Sequence, residues 1–256
     1  MSYIQFSHAN GFPAKTYTKL FDNLNEYKIS AINNLGRNTN AAEINWYDLT
    51  DEILESVGKI GEPVIGLGHS FGGVLTLLAA AKKPELFKNI ILLDPPLFSS
   101  QKRCLIRLLR ALNIEDWVSP SGKSKNRRDH FDSKSQAKSF FQAKKLFKNF
   151  HPQVLNDYVS HGLTDGKNDV ELTISVKKEL AVYHKMLTSF PHDVYKVKCT
   201  LIYAAKNPIL WRSDLRWISK KFSKLQIIPF PGSHLFPLEN PESTALMIKR
   251  CLKFEG

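Results

Sequence analysis

The chain is poor in cysteine, and the three it has, Cys104, Cys199 and Cys251, stand far apart with no C-x-x-C pair or Cys/His cluster. That scarcity excludes a disulfide scaffold, argues against a zinc site and points to a reducing compartment. Glycine and proline number only 13 each, too few for a collagen-like or low-complexity chain. Long hydrophobic runs are lacking as well. The longest, from Val64 to Ala81, is interrupted by His69, Ser70 and four glycines, which makes a poor membrane span. Met1-Ser2-Tyr3-Ile4-Gln5-Phe6 carries neither the positive stretch nor the apolar run of a signal peptide. These absences lead to the expectation of a soluble, cytoplasmic protein without stable membrane insertion.

What is present is a core. At 256 residues and 43% hydrophobic, the chain is long and apolar enough for one large α/β domain or two small ones. Its 36 Lys+Arg against 24 Asp+Glu give a net charge of +12, and the excess is concentrated in the middle. Between Gln101 and Phe190 there are 17 basic and 9 acidic residues, a net of +8. A basic segment suits nucleic acid or an acidic membrane surface. No nucleic-acid motif accompanies it, however, and lysine-rich solvated helix faces are the plainer explanation. No nucleic-acid partner is expected, and a milder role would be to draw anionic small-molecule substrates toward a nearby site. Oligomeric state cannot be read from the sequence.

Strands and helices alternate along most of the chain. Short apolar runs at Tyr3–Ser7, Lys28–Ile32, Pro63–Leu67, Asn89–Leu93, Cys199–Ala204 and Leu225–Pro229 read as strands. Thr16–Leu24, Ile44–Val57 and Phe71–Ala81 carry helical spacing between them. Strands that are apolar on both faces and alternate with helices imply a mostly parallel central sheet of about six strands with helices on both faces. Between Pro95 and Pro191 the rhythm changes to helices alone: Arg103–Leu112, Ser135–Phe147, Pro152–Leu163 and Val176–Thr188, with no clear strand. The expected organisation is a core of residues 1–97 and 192–256 with a helical insertion, residues 98–191.

The strongest chemical signal is Gly68-His69-Ser70-Phe71-Gly72, which fits G-x-S-x-G with an apolar strand running into it and a helix leaving it. A serine on a tight strained turn needs small residues two positions either side, where a side chain would strike neighbouring backbone. The turn also sets the hydroxyl at a helix N-terminus, where N–H groups favour developing negative charge. The plainer alternative is an ordinary tight turn. A serine nucleophile needs a base, and His234, in Pro231-Gly232-Ser233-His234-Leu235-Phe236-Pro237, follows the last strand, at the sheet edge where a general base belongs. His69 is expected to point away from the cleft as a structural residue, and His8 to bond within its own loop. His130, His151, His161, His184 and His192 lie in or beside the inserted helices and read as ordinary.

Together with Ser7-His8-Ala9-Asn10-Gly11-Phe12-Pro13, these segments resemble the α/β-hydrolase superfamily, from Tyr3 to the C-terminus. The resemblance implies that fold, with its first edge strands missing and the insertion serving as the cap, and it implies serine acyl transfer without metal or cofactor. It also implies an oxyanion hole from the N–H of Phe71 and a second donor on the first loop, either Asn10 or Phe12. The family's commonest acid position, after the strand that follows the cap, holds Asn207 here. Some members take the acid from the preceding strand, which ends at Asp94, and Asp94 is favoured over Asn207 as orienter or Asp214 as acid. The expected activity is cleavage of a small-molecule carboxylic ester or thioester. C–C bond hydrolysis or lyase chemistry on the same fold, and a non-catalytic binding protein, are the alternatives. Phe131, Phe140, Phe141, Phe147, Phe150, Tyr158 and Tyr183 would line an acyl pocket or, more simply, pack the cap onto the core. Arg127 and Arg128 are either anionic-substrate contacts or solvated charge.

Overall fold

The computed structural model describes residues 1–114, 116 and 120–253. In chain order its elements are β1 (Tyr3–Ser7), α1 (Thr18–Asp22), β2 (Lys28–Ala31), α2 (Trp46–Gly58), β3 (Val64–His69), α3 (Phe71–Lys82) and β4 (Phe87–Leu93). There follow α4 (Ser100–Ala111), α5 (Pro120–Ser124), β5 (His130–Phe131), α6 (Lys134–Gln142), α7 (Pro152–His161), β6 (Leu163–Asp165), β7 (Val170–Leu172) and α8 (Val176–His184). The chain then returns through β8 (Cys199–Ala204), α9 (Arg212–Lys221), β9 (Leu225–Phe230), α10 (Phe236–Glu239) and α11 (Pro241–Lys253).

Six strands form one parallel sheet in the order β2-β1-β3-β4-β8-β9. The sheet is covered on both faces, and its central strands show why their apolar runs serve both of them. Along β4, Ile91 and Leu93 enter one core and Ile90 and Leu92 the other. The same two-residue alternation sends Ile202 and Ala204 of β8 to the first core and Leu201 to the second. The first core holds Leu20 of α1 and Ile248 of α11; the second holds Ile53 of α2, Leu75 of α3 and Ile218 of α9.

The segment between β4 and β8 departs from the helical reading. Three of its predicted helices are shorter than the periodicity implies, although α4 begins earlier, at Ser100: α6 stops at Gln142, before a 3₁₀ turn at Lys145–Phe147, Leu163 begins a strand instead of ending α7, and α8 stops at His184. The expectation of no strand there is overturned by a three-stranded antiparallel sheet, β5-β7-β6. Strands of two and three residues are too short for alternation to show in a sequence. The aromatics of the insertion pack mainly against one another and the core. Phe131, Phe141, Phe147, Phe150 and Tyr158 are buried, and Phe12 of the first loop meets the rings of Phe147, Phe150 and Tyr158 at 5.5–6.4 Å.

Candidate active site

The residue scale explains the motif glycines. Ser70 holds φ 52 and ψ −122 between β3 and α3, a left-handed conformation that a side chain tolerates only where its surroundings enforce it. A Cβ on Gly68 would lie 2.5 Å from the carbonyl oxygen of Gly72, and one on Gly72 would lie 2.2 Å from that of Ser7. Both are collisions with backbone, so glycine is obligatory at each position.

Ser70 Oγ lies 2.9 Å from His234 Nε2, and His234 Nδ1 lies 2.6 Å from Asp94 Oδ2. Facing a carboxylate, Nδ1 carries the ring proton and donates it, which leaves Nε2 to accept from the serine hydroxyl. Asp94 ends β4 with φ 45 and is fully buried. Its backbone N–H donates to Ile202 and its Oδ1 accepts from the N–H of Ala204, so β8 fixes the carboxylate from the side. The two other candidates for this position are placed elsewhere. Asp214 is buried with its oxygens accepting from the N–H groups of Ser99 and Trp211 and from Lys102, where it ties α9 to the start of α4. Asn207 is exposed, in a turn at φ 48, and makes no hydrogen bond to His234.

On the first loop, the N–H of Phe12 donates to Ala9 at 3.2 Å, which takes Phe12 out of use as an anion donor. Among the described residues the backbone N–H of Asn10 and that of Phe71 have no hydrogen-bond acceptor, and both residues line the same cleft as Ser70 and His234. That cleft has a volume of about 1990 Å³ and runs beneath the insertion.

Two supporting arrangements were not evident from sequence. The first passes through Tyr17: the N–H of Ala9 donates to the Tyr17 hydroxyl, which donates to His69 Nδ1, and His69 Nε2–H donates to the carbonyl of His234. His69 thus links the first loop to the His234 loop, buried and away from the cleft. Burial lowers its pKa to about 3, with the neighbouring His234 adding to the effect, so it stays neutral. His8 bonds within its loop only in part: Nδ1–H donates to the carbonyl of Ala9, while Nε2 accepts from the N–H of Leu35 in the segment after β2; burial lowers its pKa to about 4. The second arrangement is a buried ion pair over the loop. Arg127 Nη1 meets Glu179 Oε2 at 2.5 Å, Arg127 also bonds Tyr158, and Ser124 donates to Glu179 Oε1. The carbonyl of Glu179 accepts from the Asn10 side chain at 2.9 Å. Arg127 is therefore not solvated charge; Arg128 is exposed, lines the cleft, and lies over the rings of Phe131 and Phe140. Among the described residues no group of three or more His, Cys, Asp or Glu is arranged to hold a metal ion.

The family model for the alpha/beta hydrolase family matches residues 6–245, nearly the whole chain. The chain belongs to the alpha/beta hydrolase family. Over 245 aligned residues, this alpha/beta hydrolase is 25% identical to "Peroxisomal membrane protein LPX1" of Saccharomyces cerevisiae, covering 86% of this chain and 61% of that protein. The crystal structure of that protein superposes with a TM-score of 0.75 at 19% identity, covering 99% of this chain and 76% of the other. A shorter match, 26% over 108 residues, is to "Type I acyl-CoA thioesterase mpaH'" of Penicillium brevicompactum; it covers 35% of this chain and 25% of that one. The chain thus spans less than two thirds of the curated relatives it matches. The thioesterase domain of a curacin biosynthetic pathway has a TM-score of 0.76 at 14% identity, over 97% of this chain and 91% of that domain. No helix among the described residues is long and apolar enough to cross a membrane.

Proposed function

We propose that this alpha/beta hydrolase is a serine hydrolase that cleaves a small-molecule carboxylic ester or thioester through an acyl-enzyme. The observation that carries the reading is the unbroken hydrogen-bonded series from Ser70 through His234 to the buried Asp94. Ser70 Oγ attacks the acyl carbonyl as His234 Nε2 takes its proton, and the N–H groups of Phe71 and Asn10 receive the oxyanion. His234 then protonates the leaving oxygen or sulfur. A water that gives its proton to His234 attacks the acyl-serine, and collapse returns the proton to Ser70 Oγ. Asp94 stabilises the imidazolium that forms twice in the cycle.

Residues 98–191 are proposed as a lid over the core of residues 1–97 and 192–256, of which 254–256 lie outside the described residues. The scarcity and wide spacing of the cysteines favour a reducing compartment, for which we propose the cytoplasm. Thioesters enter as substrates because a relative carries that name and because the cleft is large enough for a long acyl group. A non-catalytic reading would have rested on Asn207 replacing the acid, and His234 does not bond Asn207. Purified protein assayed against p-nitrophenyl esters of rising chain length and acyl-CoA thioesters tests the reading. Turnover of at least one series, lost in Ser70→Ala, is expected; the absence of turnover on every ester and thioester from folded protein would overturn it.

A further inference from the structure

Helix α4 turns part of its apolar surface outward. Two of its arginines face the protein, Arg103 buried with its guanidinium over the rings of Trp217 and Phe190 and Arg110 donating to the carbonyl of Met186, while Arg107 is exposed. Leu109 is half-buried beside the cleft, but Leu105, Leu108 and, at the C-terminal cap, Leu112 face water. Leu105, Leu108 and Leu112, spaced i, i+3 and i+7 on one stripe, are 52%, 55% and 58% exposed. A helix whose only neighbour were water would have the opposite arrangement, so this stripe calls for an apolar partner.

The stripe adjoins the entrance to the cleft. Leu105, Leu146 and Trp211 line that entrance from three separate elements, each at least half exposed. Lys145, Lys148 and Lys220 line the same cleft, exposed and in no ion pair among the described residues. Exposed leucines and a tryptophan set among unneutralised lysines match the two layers of an anionic bilayer surface, acyl chains below and phosphates above. A second copy of this chain would bring the same lysines against each other, and an apolar protein partner would seal the entrance to Ser70.

We propose that α4 and this rim form a docking surface for anionic lipid bilayers, presenting the open cleft to acyl esters carried in the lipid. The docking stands on the surface alone; the use made of it rests on the hydrolase reading above. It is tested with Ser70→Ala protein and sedimenting vesicles of phosphatidylcholine, alone or with one third phosphatidylglycerol. The protein should sediment with the anionic vesicles, remain free with the neutral ones, and be released by half-molar salt. Leu108→Ser/Leu112→Ser, neither residue lining the cleft, should weaken binding about tenfold or more by removing buried apolar area, while turnover of a soluble p-nitrophenyl ester by the Ser70 form is unchanged. Lys145→Ala/Lys148→Ala should weaken it about fivefold per lysine. No sedimentation with anionic vesicles, or equal sedimentation by the double-serine variant, would overturn the proposal. So would a dimer that the double-serine variant dissolves without any vesicle binding. Vesicle binding with these dependences from a wild-type protein that turns over no ester would support docking and defeat the hydrolase reading instead.

Discussion

Asp94 shows how much a single side chain settles. It is fully buried, takes a left-handed backbone at the end of β4, and offers one oxygen to Ala204 and the other to His234. Replacing that carboxylate by an amide keeps the shape and loses the charge that stabilises imidazolium. Asp94→Asn should therefore lower kcat by about 10⁴, as removal of such an acid does in serine triads. Asn207→Ala should cost far less; similar losses in the two variants, measured on the same ester, would contradict the assignment. Ser70 and His234 can be picked out from sequence because their turn and sheet-edge positions leave few other uses for those residues. Which N–H of the first loop is left without an acceptor cannot be picked out. One turn hydrogen bond, Phe12 N–H to Ala9, separates Asn10 from Phe12, and nothing in the composition of that loop foretells it.

Elements meet at the first loop, where β1, α3 and the insertion converge. A Cβ added at position 72 would lie 2.2 Å from the carbonyl oxygen of Ser7, so α3 sits hard against β1 only because residue 72 is glycine, and Gly72→Ala must push these elements apart. Its urea denaturation should show a loss of about 1–3 kcal/mol, the cost of overpacking, with unchanged stability arguing against so close a contact. On the opposite side of the loop, Glu179 neutralises Arg127 in a largely buried setting. Glu179→Ala leaves that guanidinium unpaired, and a loss of about 3–5 kcal/mol is expected. Limited proteolysis should then cut the insertion faster than it does in wild type; equal rates would mean that the pair does not hold the insertion down. Neither element pairing is legible in the sequence, since Arg127 and Glu179 are far apart along the chain and each reads there as ordinary surface charge. The short β5-β7-β6 sheet is hidden for a different reason, its strands being too brief to establish a period.

At the scale of the whole molecule, the fold is the most legible feature. A parallel sheet covered on both sides demands apolar residues on both faces of its central strands, and Ile90–Leu93 declares it in four letters. Which way α4 faces is not declared, because periodicity marks a stripe without saying whether core or solvent receives it. Stability against acid is likewise a property of the whole fold. His8 and His69 have pKa values of about 4 and about 3 when folded, against 6.5 for a free histidine, because burial disfavours their charged forms. Below pH 6.5 the unfolded chain binds protons that the folded one refuses. The contribution of these two neutral rings is therefore complete above that pH and is lost as pH falls from 6.5 toward 4 and 3. Urea denaturation at pH 7 and pH 5 should differ by about 1–2 kcal/mol per histidine, and a flat profile would mean that the rings are not held neutral. The proposed chemistry turns on one hydroxyl, that of Ser70. Intact-mass spectrometry after exposure to a fluorophosphonate should find a single adduct, mapped to Ser70, absent in Ser70→Ala and slow to form in His234→Ala; folded wild-type protein that stays unlabelled would contradict it.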